Sequence, residues 1–157
     1  MIELARLLKI TDKPIQLSHT RRVEFFYDFF RPDAVVKAKS AENKEGQIQN
    51  WNYDVYYAGR RGSQFFYETT NKMVKSMDDG GGDNGHLFPT GAWRAPANNT
   101  NTFARESHLD MMASKLGIDP FEFRLKNLKN EQMIRTLKLA AEKFGWETIK
   151  GPSGKGW

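Results

Sequence analysis

The chain has 157 residues, 39% hydrophobic and 27% charged, which suits about one soluble-type folded domain. It contains no cysteine, and this excludes disulfides, thiolate metal sites, cysteine nucleophiles and cysteine-held iron–sulfur clusters. Its 24 basic and 19 acidic residues, net +5, are interleaved along the chain and not gathered into a tail, so nucleic acid is not the expected partner, and no apolar run approaches the roughly 20 residues that cross a bilayer.

In chain order, Leu4, Leu7 and Leu8 share one face of an opening helix that has no Ser, Thr, Asp or Asn ahead of it as a cap. Ile15 and Leu17 alternate with polar neighbours, which predicts a short edge strand over 14–20. The run VEFFYDFFRP puts Phe25, Phe26, Tyr27, Phe29 and Phe30 around a helical turn, read as core packing in preference to a stacking platform, with Arg31-Pro32 ending it. Strands are predicted over 34–40 and 47–57, joined by a hairpin loop at 43–46. In the second strand Trp51, Tyr53, Val55 and Tyr57 share one face while Asn50, Asn52 and Asp54 share the other. The stretch 65–77 fits either strand or helix, and SMDDGGGDNG after it is loop and the expected mobile segment.

Past Pro89 the period changes to that of helices. Leu109, Met112, Ala113 and Leu116 form one helical face, with Thr100 or Asn101 expected as the cap and Gly117 as the stop. Asp119-Pro120-Phe121-Glu122 carries an N-cap, a proline at the first helical position and a carboxylate at the third. A last helix over 130–144 aligns Ile134, Leu137, Ala141 and Phe144 and stops at Gly145. Strands followed by helices predict an α+β fold, an antiparallel or mixed sheet covered by helices with the C-terminal part mostly helical. The uncapped start and the tail 151–157, which has the composition of a linker, lead us to expect an internal piece of a longer chain.

Several short patterns fail on their context. Gly80, Gly82 and Gly85 match G-x-G-x-x-G, but His86-Leu87-Phe88-Pro89 follows where a dinucleotide site needs a helix. As a calcium loop, Asp79 and Asp83 fall in place, but Asn84 stands at the turn glycine and no Glu closes the loop. His19, His86 and His108 lack metal-ligand spacing, and no nucleophile elbow is present. Gly59-Arg60-Arg61-Gly62 resembles the backbone-clamping loop of KH domains; that loop joins two helices, whereas a strand end or hairpin tip is expected here.

GAWRAPANN, FARESHLDMMASKLGIDPFEFRLKNL, TRRVEFFYDFFRPDAVVKAKS and GQIQNWNYDVYYAG together resemble the molybdenum-cofactor subunit of the aldehyde oxidase and xanthine dehydrogenase family, and most of all its isoquinoline 1-oxidoreductase β-subunit branch. The resemblance implies a fragment of the molybdopterin-binding domain, 1–157. Within it 1–77 is a strand-rich half, 78–90 a glycine-rich loop, 91–150 a cofactor-facing loop with helices, and 151–157 a linker to a missing domain. It implies that Trp93, Arg94, Ala95 and Pro96 pass the molybdopterin, with Arg94 in contact, because a cation and free amides ahead of a helix suit a phosphate-bearing ligand. The alternative is that Arg94 pairs with an acidic residue of the scaffold.

Pro96 stands where xanthine-oxidising relatives present an aromatic ring, which argues against purine stacking. Glu106 and Asp110 are read as helix and interdomain anchors. The implied activity is hydroxylation of aldehydes or N-heteroaromatics with oxygen from water, electrons leaving through an iron–sulfur small subunit. This chain carries neither the family's upstream glycine-rich cofactor segment nor its glutamate base, so by itself it is expected to bind no cofactor and to be inactive. The remainder of the large subunit is the expected partner. No membrane partner is expected, and the full-length protein is placed in either cytoplasm or periplasm. A basic nucleic-acid-binding module built on Gly59–Gly62, and a structural remnant without a ligand, are the rival readings.

Overall fold

The computed structural model describes residues 2–11, 13–77 and 88–147. The glycine-rich patterns around Gly80–His86 and the 151–157 tail fall outside them. Helix α1 spans Ile2–Thr11 and α2 spans Arg21–Tyr27; strands β1, Val35–Glu42, and β2, Ile48–Tyr56, precede β3, Asn71–Ser76; helices α3, Asn98–Leu116, α4, Pro120–Lys126, and α5, Glu131–Phe144, follow. The α+β expectation holds. The sheet is mixed, in the order β1-β2-β3, antiparallel between β1 and β2 and parallel between β2 and β3.

β2 is central, and its period-two pattern decides which face is inside. Ile48, Trp51, Tyr53 and Val55 are buried, whereas Asn50, Asn52 and Asp54 are not. Trp51 stacks on Phe65 with ring centroids 4.0 Å apart. Leu109, Met112 and Ala113 of α3 and Phe123 of α4 close the core over this face. Asn127, buried just after α4, ties the layers together. Its Oδ1 accepts from the Ile48 amide at 2.9 Å, and its Nδ2 donates to the carbonyls of Gly46 and Phe123 at 2.9 Å each.

The helix signals are largely met. Asp119 accepts from the Phe121 and Glu122 amides, Asn130 caps α5 through the Met133 amide, and α3 and α5 end at Gly117 and Gly145 in the left-handed region. Four expectations fail. No strand forms over 14–20; the segment is irregular and leads into α2. Tyr57 is not on the inner face: it lies past β2 at φ 66° and is exposed, because the chain turns there toward Gly59. The aromatic run of α2 is not core: Phe25, Phe26 and Tyr27 are 80%, 79% and 76% exposed, since a seven-residue helix with aromatics on every side has no single face to bury. Finally, α3 begins at Asn98, not at Thr100 or Asn101; its cap position is Ala97, which makes no side-chain cap bond.

Candidate anion-binding cavity

The segment 88–97 is held against the end of α2 by backbone. Phe30 donates to the Pro89 carbonyl and accepts from the Gly91 amide, both at 3.0 Å, in a parallel bridge between Phe30 and Thr90. A Cβ on Gly91 would lie 2.8 Å from that of Phe29, so only glycine permits this approach. The Trp93 indole donates to the Phe29 carbonyl at 3.0 Å, which fixes the ring although the residue is 54% exposed. Beyond it, Ala95 and Ala97 sit at φ 55° and 61°, a conformation that costs residues with a Cβ energy and is characteristic of functional loops.

Facing this segment is Gly59–Gly62. Both glycines have positive φ, 80° and 78°, and a Cβ at Gly62 would fall 2.5 Å from Asn98 Oδ1. The G-x-x-G spacing therefore encodes a tight turn after β2, pressed on the start of α3, and not a loop between helices. Asn101, fully buried, donates through Nδ2 to the Gly59 carbonyl at 3.0 Å and the Arg61 carbonyl at 2.9 Å; its Oδ1 accepts from the Tyr53 hydroxyl at 2.9 Å. Burial pushes that hydroxyl's pKa up to about 12, against the opposing charge of Arg105. Arg105, also buried, donates through Nη1 to the Gly62 carbonyl at 2.6 Å and the Gln64 carbonyl at 3.2 Å, and its guanidinium lies 4.6 Å from the Phe66 ring centre.

Between the two loops is a cavity of about 480 Å³. Trp93, Arg94 and Pro96 line it; Ala95 does not, its strained backbone serving the turn. Arg31, Arg60 and Arg61 line it too, with Asn99 and Thr100 at the start of α3. Among the described residues the lining includes four arginines and no carboxylate. None of the four forms an ion pair with a described residue, so the scaffold partner considered for Arg94 is not among those residues. Four arginines lining one cavity without such partners suit a ligand with anionic oxygens.

Glu106 and Asp110 lie elsewhere, on the far side of α3, where they brace α4. Arg124 donates to Glu106 Oε2 at 3.1 Å and to Asp110 Oδ1 at 2.6 Å, and Glu106 also accepts from the Tyr67 hydroxyl at 3.0 Å and from Arg105 at 2.9 Å. The helix-anchor reading of this pair fits the geometry. Burial and the Glu106 carboxylate raise the Tyr67 pKa well above the ordinary phenol range. Burial alone would lower that of Arg124, but the bond and charge of Asp110, with Tyr67 and Glu106, outweigh it. His108 is no ligand: its Nε2 lies 2.8 Å from Ser40 Oγ and its ring edge meets Trp51. Among the described residues no group of three potential metal ligands occurs.

Residues 85–128, which contain the Trp93–Pro96 loop, α3 and α4, match the family profile of the molybdopterin cofactor-binding domain. Over this stretch the chain is similar to molybdopterin cofactor-binding domains. A nicotinate dehydrogenase subunit of Pseudomonas putida is 43% identical over 52 residues, 33% of this chain and 4% of that protein. The aldehyde oxidoreductase molybdenum-binding subunit PaoC of Escherichia coli is 34% identical over 76 residues, 41% of this chain and 10% of that protein. The chain thus spans a tenth or less of these curated relatives. The solved aldehyde oxidoreductase of Desulfovibrio gigas superposes with a TM-score of 0.57 over 73% of this chain and 15% of that one at 21% identity, a likeness of fold. Of the four residues that the resemblance assigned to the cofactor, Trp93, Arg94 and Pro96 line the cavity and Ala95 does not; Arg31 was not singled out, and Arg60 and Arg61 were offered to a different ligand. The signal for Asn101 was present but misassigned: a polar residue beside a helix start reads as a cap, and here it holds the neighbouring turn.

Proposed function

We propose that this chain forms one wall of the pterin-cofactor cleft in the molybdenum-binding subunit of an oxidoreductase that hydroxylates aldehydes or N-heteroaromatics. The observation that carries the reading is the cavity whose described wall combines Trp93, Arg94 and Pro96 with three further arginines and no carboxylate. A phosphate-bearing pterin calls for guanidinium donors and a flat apolar surface beside them, and the residues present meet both demands. Arg94 would bind the ligand's anionic oxygens. Trp93, its ring fixed through Phe29, would exclude water from one side. Pro96 offers no π face, which fits a substrate held by something other than aromatic stacking at that position. When bound, the cofactor supplies the redox and oxygen-transfer chemistry. No Asp, Glu or His among the described residues lines the cavity, so the proton acceptor is expected from another part of the full-length subunit, and the 157-residue chain alone is expected to be inactive. The remaining subunit and an iron–sulfur small subunit are the proposed partners.

The test uses the full-length subunit carrying Arg94→Ala, with molybdenum measured by mass spectrometry and pterin by fluorescence after oxidation. A fall in both of about tenfold, in protein that keeps its melting temperature, supports the reading, since one charge-assisted contact is worth roughly 1.5–3 kcal/mol. Full cofactor content in that variant would overturn it.

A further inference from the structure

The matched stretch 85–128 supplies only part of the cavity's lining; Arg31 and Pro32 supply a second part, and residues 58–61, in and before the Gly59–Gly62 turn, a third. A turn at the end of a surface strand can be held by two or three backbone bonds, but this one is clamped from below. The carbonyls of Gly59 and Arg61 accept from Asn101, those of Gly62 and Gln64 from Arg105, and that of Arg60 from the Ser63 amide and hydroxyl at 3.1 and 2.7 Å. The clamp's outcome is electrostatic. With these acceptors already satisfied within the fold, the turn offers the cavity two adjacent exposed arginines that have no ion pair to a described residue. Adjacent like charges repel unless something anionic lies between them and Arg94.

We propose that Gly59–Gly62 is a second anion clasp of this cavity, in which Arg60 and Arg61 bind phosphate oxygens of the small ligand together with Arg94, and Asn101 and Arg105 are positioning residues that hold the clasp. The inference rests on the reading of the cavity as the site of a phosphate-bearing cofactor and extends it to residues outside the matched stretch. Burial of Asn101 and Arg105 is the structural reason the clasp stays in place: fixing the turn in advance removes ordering entropy that binding would otherwise have to overcome.

Calorimetric titration of the full-length subunit, prepared free of cofactor, with inorganic pyrophosphate, orthophosphate and a single-stranded oligonucleotide at low salt tests this. Pyrophosphate is expected to bind more tightly than orthophosphate. Replacing both Arg60 and Arg61, two exposed residues, by Ala, with the melting temperature checked, is expected to weaken pyrophosphate binding at least about tenfold. Arg94→Ala is expected to weaken it as well. Asn101→Ala, checked for retained helical circular dichroism, is expected to remove the preference for pyrophosphate while leaving orthophosphate binding in place, a change of selectivity that a purely structural role would not produce.

Unchanged binding in the double variant, with loss in Arg94→Ala, overturns the clasp and leaves the cofactor reading standing. Loss in the double variant with Arg94→Ala unaffected supports the clasp and overturns that reading. Absence of pyrophosphate binding to the unaltered full-length subunit overturns both. An oligonucleotide that binds more tightly than pyrophosphate, with a salt dependence of several phosphate contacts, makes the turn a nucleic-acid contact and overturns the proposal.

Discussion

Two aromatic-rich regions of this chain meet opposite fates. NWNYDVYY in β2 alternates, and the strand's period of two sends Trp51, Tyr53 and Val55 into the core. VEFFYDFF in and after α2 is more aromatic still, yet its rings stand in solvent because they are consecutive and therefore point around the helix. Apolar content alone did not decide burial. What decided it was a match between residue spacing and element geometry, together with a facing layer; β2 has α3 and α4, and α2 has no comparable cover among the described residues.

The contrast is sharpest for deletions of whole rings. Phe123→Ala, at a fully buried site, is expected to destabilise by about 3–5 kcal/mol in urea unfolding, and Phe26→Ala by less than about 0.5 kcal/mol. A large effect at Phe26 would show that α2 is covered in solution and would break the comparison. Asn127→Leu comes next, at about 2–4 kcal/mol, since it strips partners from the Ile48 amide and from the Gly46 and Phe123 carbonyls. Gly62→Ala meets both a positive φ and the Asn98 side chain; a loss of about 1–3 kcal/mol is expected, and with it a shift of the clasp visible in the chemical shifts of residues 59–62. Tyr53→Phe, which leaves the buried Asn101 Oδ1 without the hydroxyl at 2.9 Å, is expected to cost about 1–2 kcal/mol.

The smallest effect concerns pH. Burial lowers the pKa of His108, with the nearby Glu42 opposing, so the folded state resists protonation more than the unfolded chain does. Between its lowered folded pKa and the ordinary value of 6.5 the unfolded state binds more protons; this contribution to stability is complete above 6.5 and is lost as pH falls. His108→Gln should flatten the slope of melting temperature against pH in that window, and an unaltered slope would refute the assignment.

Much of the architecture was legible from spacing. Both hairpin strands, the inner face of β2 up to Val55, the Asp119 cap and the glycine stops at Gly117 and Gly145 are local features, set by a handful of neighbouring residues. The Trp93-Arg94 segment was legible for a different reason, its resemblance to a family, and physical pattern alone would have left it a polar loop. Phe25–Phe30 and Tyr57 were misread because a hydrophobic residue states only a preference for burial. Whether a partner layer is there to receive it is a property of the whole fold.

Taken by itself, the sequence determined the periodicities, the turns and the helix ends, since these depend on contacts within a few residues and on backbone sterics that any context preserves. Only the tertiary structure decided that Arg31, Arg60, Arg61 and Arg94, from three separated segments, line one cavity, and that Asn101 serves a turn about forty residues upstream and not its own helix. The physical reason is that charge convergence and buried hydrogen-bond pairing are long-range: each depends on where distant backbone carbonyls and side chains arrive once the β2–α3 core has closed.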